Sequence, residues 1–444
     1  MILTSLPVLL YLIPLTVLAA ALVPAHRRTI PLTLGGMIYA FLSGGWECVT
    51  FMLMIMFSAW FTIRLQPRLT PEKRRRGIYW MCCGILVQIV LLILARSVVP
   101  FAGRLPLMLC AVQGIICICD RGSGKMHLPA LQSYLGYSCT LPRIFAGPVI
   151  SYEESRRFYA ASHKPTLRSI GEGAEICVRG LFQLVLLSLP METLWQRLRT
   201  EITLVSTPDA LFTLPVIYFT LYYRLKGAVT LGEGIAHMLG VPYPESFDAP
   251  ILAFSFKGYF SRMMIPLTNK VRSLLFPEGR KIDTFGYFAR VLPLLAGMGL
   301  LLCDGVNGMI FGAMFAVMLT AERMALEKWL TKIPKPIRRI VTVVLLLFCI
   351  GVLYSGSQAE TFNFYMILLG KNSIALSSPV IYMMSNEWLT LLLCTIGLFP
   401  LRKGIKKWEE HHSILAKCKV IAVPLLTFCV MLFCMAELFS RYLR

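Results

Sequence analysis

An aspartate and an asparagine stand between two apolar runs in LLLCDGVNGMIFGA, residues 300–313. A carboxylate there could accept a hydroxyl proton if burial raised its pKa from about 3.9 towards neutrality. Cys303 is a second candidate for covalent chemistry. Its neighbour Asp304 opposes that role, because a carboxylate beside a buried thiol disfavours the thiolate. Arg143 is a third group in need of a reason, since it sits in an apolar stretch interrupted by Pro142, Gly147 and Pro148. The six histidines are His26, His127, His163, His237, His411 and His412, and none falls in the middle of an apolar run. His411 and His412 follow Glu409 and Glu410 on a basic segment that reads as solvated surface, with spacing unsuited to a tetrahedral metal set. HExxH, GxxxxGK[ST] and GxSxG are all missing. The 14 cysteines lie mostly inside apolar runs without paired CxxC spacing, and read as small apolar fillers. No metal site and no disulfide framework is expected.

The elements that must position these residues are membrane spans. Of 444 residues, 57% are hydrophobic and 15% charged, with a mean hydropathy of +0.68. A soluble domain carries about 25% charged residues. The net charge of +21 gathers in short segments between apolar runs: HRR at 26–28, KRRR at 73–76, KPIRR at 335–339 and RKGIKK at 402–407. That is the positive-inside pattern, and it argues against nucleic acid as a partner. A spanning helix needs about 20 apolar residues, and helices are the default in lipid. Spans are predicted at roughly 5–25, 30–46, 48–63, 79–99, 105–119, 172–194, 211–223, 284–303, 306–322, 340–355, 386–400 and 419–440, about 11–12 in all. Placing the basic segments in the cytoplasm leaves the N-terminus outside, with only the final RYLR on the wrong side. The first apolar run lacks a basic leader and a cleavage site, so it reads as a retained span. The expected fold class is an all-α polytopic membrane protein, one domain over 1–444.

Two regions interrupt that pattern. Residues 129–155 are apolar but broken, and read as a re-entrant or broken helix facing protein. Residues 226–281 are more polar, and predict short helices at the cytoplasmic interface. Charges in or near spans are Glu47, Asp120, Arg143, Arg179, Arg224, Glu233, Arg262, Arg290 and Asp304. Each costs about 2.5–3.5 kcal/mol at a bilayer centre, so each is paired, snorkelling or functional. Arg143 and Asp304 are furthest from the snorkelling explanation.

The stretch LPRIFAGPVISYEES, 141–155, resembles the signature of membrane-bound O-acyltransferases of the alginate-acetylation and teichoic-acid D-alanylation type, at Pro142, Arg143, Ala146, Gly147, Pro148 and Tyr152. Segments 38–61, 105–125, 237–262, the GSQAETFNFYMILLGKNS stretch and 386–400 resemble further parts of that family in the same order. The resemblance implies a bundle of helices around a tunnel, and transfer of an acyl group to a glycan hydroxyl. A membrane histidine in a Trp-His-Gly step serves as general base in that family. Here the matching residues are Cys303-Asp304-Gly305, so Asp304 takes the histidine position. A second family histidine matches Met264, with Arg262 kept beside it. A polar Asp-Phe-Ser-Gly-Tyr-Ser-Asp turn aligns with 224–230, where Gly227 is kept and Arg224 and Thr230 replace the acids. Arg143, Asn307, Arg262 and Gly227 are therefore expected to line the substrate tunnel. The resemblance also implies a bacterial-type plasma membrane and no bound cofactor. An acyl donor such as acetyl-CoA or an acyl-carrier protein is implied if the chain is active. Membrane lipids surround it, and a second extracytoplasmic component or a glycan synthase is its implied partner.

Two readings of function stay open. One is an active O-acyltransferase using Asp304 as base. The other is a subunit that keeps the scaffold but is degenerate at the active site, and therefore non-catalytic or partner-dependent. A transporter is disfavoured, because one broken helix without an inverted repeat lacks that class's signature.

Overall fold

The computed structural model describes residues 5–24, 27–67, 74–145, 147, 149–160, 165–200, 206–241, 243–276, 283–302, 306–326, 334–370, 377–400 and 413–443. The protein is an all-α polytopic membrane protein. Among the described residues no strand forms, and a single isolated bridge joins Phe247 and Met263. Chain order gives α1 (Ile13–Leu22), α2 (Thr29–Leu65), α3 (Arg74–Val98) and α4 (Phe101–Gly122). Short α5 (Leu131–Ser138), α6 (Leu141–Ile144) and α7 (Tyr152–Ala160) follow. Then come α8 (Leu167–Leu181), a π turn (Phe182–Ser188) and α9 (Leu189–Thr200) as one continuous rod, and α10 (Thr207–Met238). Short α11 (Phe256–Arg262) and α12 (Ile265–Leu275) lead to the pair α13 (Thr284–Leu302) and α14 (Asn307–Ala321). The chain closes with α15 (Lys335–Ile350), α16 (Gln358–Leu368), α17 (Ser378–Asn386), α18 (Trp388–Gly397) and α19 (Ser413–Leu443).

Among the described residues six helices are long and apolar enough to cross a membrane, or seven if α17 and α18, bent by 65°, form one span. That count falls below the predicted 11–12. Sequence windows run across helix breaks, whereas helices such as α14 stop too soon to qualify alone. The count also takes α2 as one element. Its backbone leaves the helical region at Gly44 and at Gly45, where φ is 68°. The Cys139 sulfur lies 3.9 Å from the Thr33 carbonyl and 3.8 Å from the Met52 sulfur. A straight helix would part residues 33 and 52 by about 28 Å. Thus α2 folds back at the glycine pair, and its two arms correspond to the predicted spans 30–46 and 48–63. Glycine is required at residue 45 because a side chain resists that φ.

The broken region is interrupted at Pro142, as predicted, and also at Thr140, which the sequence had not marked. α5 ends at Ser138, Thr140 is extended, and Pro142 opens the four-residue α6, which its missing N–H suits. Tyr134, Tyr137, Leu141, Arg143, Ile144 and Phe145 are all buried, so the segment faces protein. Residues 226–238, expected to begin the short helices, instead continue α10, and the short α11 and α12 follow it as the polarity of the segment predicts.

Helix pairs close tightly on small residues, the usual device where lipid removes the hydrophobic drive between helices. On α8 and α10, Gly180 meets Gly227 and Leu231, while Gly173 meets Gly234 and Met238. A Cβ on Gly180 would sit 2.7 Å from the Leu231 nitrogen.

Candidate functional site

A cavity of about 1700 Å³ opens between α10, α11, α12, α13 and α14. It exceeds the usual ligand pocket of about 300–1,000 Å³. Its walls are aromatic and aliphatic: Tyr218 and Tyr222 from α10, Tyr259 and Phe260 from α11, and Phe311 and Phe315 from α14. Phe315 makes edge contacts with Phe256, Phe260 and Phe311, which fixes this wall. The lining also touches Phe101 and Arg104 at the start of α4, and Lys125 just beyond its end. Helix α4 rises about 33 Å over its 22 residues, close to the thickness of a hydrocarbon core. The cavity therefore reaches both ends of one membrane span.

The two ends are held differently. At one, the Arg96 guanidinium donates to the Leu300 carbonyl of α13, and Arg104 donates to the carbonyls of Arg96 and Val99. At the other, Lys270 of α12 pairs with Asp120 of α4 at 2.7 Å. There Phe276 stacks on Tyr287, Arg323 lies over the Tyr287 ring at 4.8 Å, and the Lys257 amide donates to Glu322.

Met264 lines this cavity. It occupies the corner between α11 and α12 with a left-handed backbone, φ 48°. The Ile265 amide donates to the Ser246 carbonyl at 2.9 Å, and the Asp248 amide donates to the Arg262 carbonyl at 3.0 Å. Ser246 is held in turn by Glu233 of α10, whose carboxylate accepts from its hydroxyl at 2.7 Å and its amide at 3.2 Å. Glu233 lies well past the apolar 211–223 run. Burial pushes its carboxyl up to about 7, against the lowering effect of the Ser246 hydrogen bonds.

The other expected lining residues are not on these walls. Arg143 is fully buried and donates to the Tyr137 carbonyl at 3.0 Å and the Tyr243 hydroxyl at 3.3 Å. Its guanidinium lies over the Tyr137 ring at 4.4 Å. It thus ties the broken segment to the loop after α10. Asn307 is buried and donates to Ser355 at 2.6 Å and Thr361 at 3.0 Å, fastening the start of α14. Gly227 packs backbone to backbone, since a Cβ there would lie 2.9 Å from the Gly180 carbonyl. Arg262 ends α11, while its neighbours Ser261 and Met263 line the cavity. Asp304, with Cys303, lies outside the described residues. The cavity wall on α13 extends to Gly299.

Several charges flagged in the sequence are paired across the fold. Arg224 meets Glu192 at 3.3 Å, Asp120 meets Lys270, and Arg290 donates to the Leu275 carbonyl. Lys270 and Glu192 carried no local signal, because their partners lie far away in sequence. Among the described residues no histidine lines the cavity, and Glu322 is its one acidic residue. No cluster of three or more metal-ligating side chains occurs among the described residues.

No family model matches the chain. A curated protein of Pseudomonas aeruginosa, named "Probable alginate O-acetylase AlgI", is 22% identical over 219 residues. That match covers 48% of this chain and 41% of the relative, so the chain aligns with less than half of that protein's length.

Proposed function

We propose that this chain serves O-acylation of a cell-envelope polysaccharide, as a non-catalytic or partner-dependent subunit in a bacterial plasma membrane. One observation supports the proposal most: Met264, at the position that the family resemblance gives to a proton-transfer histidine, lines the cavity wall, and no histidine joins it among the described residues. Moving an acyl group to a hydroxyl requires a base to take the hydroxyl proton, and a thioether cannot. The distant likeness to an alginate O-acetylase supports the process. In this reading the chain forms a single domain with its N-terminus outside. The rim at Lys125 and Lys257 faces the cytoplasm, where a donor such as acetyl-CoA or an acyl-carrier protein would approach. A second acylation component outside the membrane, or a glycan synthase, supplies the missing half of the machinery.

An active enzyme with Asp304 as base is the alternative. It is favoured by the reach of the cavity wall to Gly299 on the helix that leads to Asp304. Ester-linked acyl content of surface glycan separates the two. It is measured in a deletion strain, and in that strain restored with wild type or with Asp304→Ala. Equal restoration by both supports the subunit reading. Restoration by wild type alone makes Asp304 the working base. No change on deletion removes glycan acylation altogether.

A further inference from the structure

We infer that the cavity binds an anionic membrane phospholipid, with its phosphate at the α12 rim and its acyl chains along α13 and α14. This goes beyond the acylation proposal and does not depend on it. Among the described residues the rim bears Lys125, Lys257, Arg272 and Arg323 against one carboxylate, Glu322. These residues belong to one end of the fold. The Lys270–Asp120 pair places α12 at the end of α4 that Lys125 follows, and the Phe276–Tyr287–Arg323 stack carries the same level to α13 and α14. Four cations against one carboxylate leave this rim net positive among the described residues, and Glu322 also accepts from the Lys257 amide at 3.2 Å.

Behind the rim the faces of α13 and α14 are apolar, while Arg224 of α10 and Arg104 at the far end of α4 also line the cavity. From Arg323, just past α14, the wall runs back along that helix to Phe311, and on α13 from Tyr287 to Gly299. Twelve residues of helix span about 18 Å, more than half of a hydrocarbon core. A charged mouth leading into a long apolar channel matches an amphiphile with an anionic head. A small soluble metabolite would leave the apolar length unfilled, and a neutral lipid would bring no anion to the basic rim. The size of the cavity agrees, since about 1700 Å³ is beyond a drug-sized ligand.

The test is native mass spectrometry of the full-length protein, delipidated in detergent and titrated with phosphatidylglycerol or phosphatidylcholine. The variants are the triple Lys257→Gln/Arg272→Gln/Arg323→Gln and the channel-filling Leu294→Trp. A control triple, Arg156→Gln/Arg168→Gln/Arg441→Gln, removes equal charge elsewhere. Phosphatidylglycerol should bind wild type at least about tenfold more tightly than phosphatidylcholine, given about 1 kcal/mol per basic residue near an anionic surface. The rim triple should lose that preference, Leu294→Trp should lose binding of both lipids, and the control should retain both. Equal affinity for the two lipids, or equal loss in both triples, overturns the inference. So does displacement of bound phosphatidylglycerol by sub-stoichiometric acyl-CoA, which would assign the channel to a thioester. None of these outcomes bears on glycan acylation in cells, so each proposal fails separately.

Discussion

Met264 is a non-glycine residue held at φ 48°, a conformation that costs an L-residue about 1–2 kcal/mol. The corner keeps it there through the Ile265–Ser246 bond, and Ser246 depends on Glu233. A carboxyl whose folded pKa lies above its unfolded value weakens the fold as pH rises. The unfolded chain ionises from about 4.5, the folded protein only near 7, so stability is full below that window, falls across it and is flat above it. The thermal midpoint in detergent should therefore decline between about pH 5 and pH 7. Glu233→Gln keeps an oxygen acceptor for both Ser246 donors and should flatten the decline. Identical slopes in the two proteins would clear Glu233 of the role. Arg143 shows the opposite use of a buried charge. Its expected place was the tunnel, yet it is clasped by Tyr137 and Tyr243, and binds two segments separated by a hundred residues of chain. The sequence marked it as a buried cation in need of a reason. It could not show that the reason was structural, because Tyr243 lies in a loop with no pattern of its own.

At the scale of elements, close packing is concentrated on glycines that recur along facing helices. Gly173 and Gly180 of α8 meet Gly234 and Gly227 of α10, and the neighbours of Gly180 are backbone atoms that cannot rotate away. Gly180→Ala should push these helices apart and lower stability by about 1–3 kcal/mol, read as a loss of thermal midpoint in detergent. Gly171→Ala, on the same helix with nothing within 4 Å of the added methyl, is the control. It should be neutral or raise stability by about 0.5–1 kcal/mol, since alanine is the better helix former. An equal effect at both positions would mean that propensity, not packing, governs α8. The split of α2 into two arms was legible in the two apolar runs 30–46 and 48–63, but the turn at Gly44 and Gly45 falls inside the first of them and was not. The pairing of α8 with α10 was not legible either, since single glycines in a helix carry no address.

For the molecule as a whole, orientation follows from basic segments that resist translocation. Lys125 and Ser97 lie near opposite ends of the α3–α4 pair and are both exposed. With a membrane-impermeant maleimide, Ser97→Cys should label in intact cells, and Lys125→Cys only after permeabilisation. The reverse pattern would invert the proposed topology and move the lipid rim to the outer leaflet.

What the sequence determined by itself is that the chain lives in a membrane, is built of apolar helices, breaks near Pro142 and divides its early apolar stretch into the runs 30–46 and 48–63. Those features follow from local rules: lipid offers no partner to a bare peptide group, so each apolar run must satisfy its own backbone. The tertiary structure alone decided that Met264 faces a cavity while Arg143, Asn307 and Gly227 face protein. Neighbouring residues on a helix point about 100° apart. Which of them meets the cavity depends on how each helix is rotated against its partners, and that is set by contacts between residues remote in sequence.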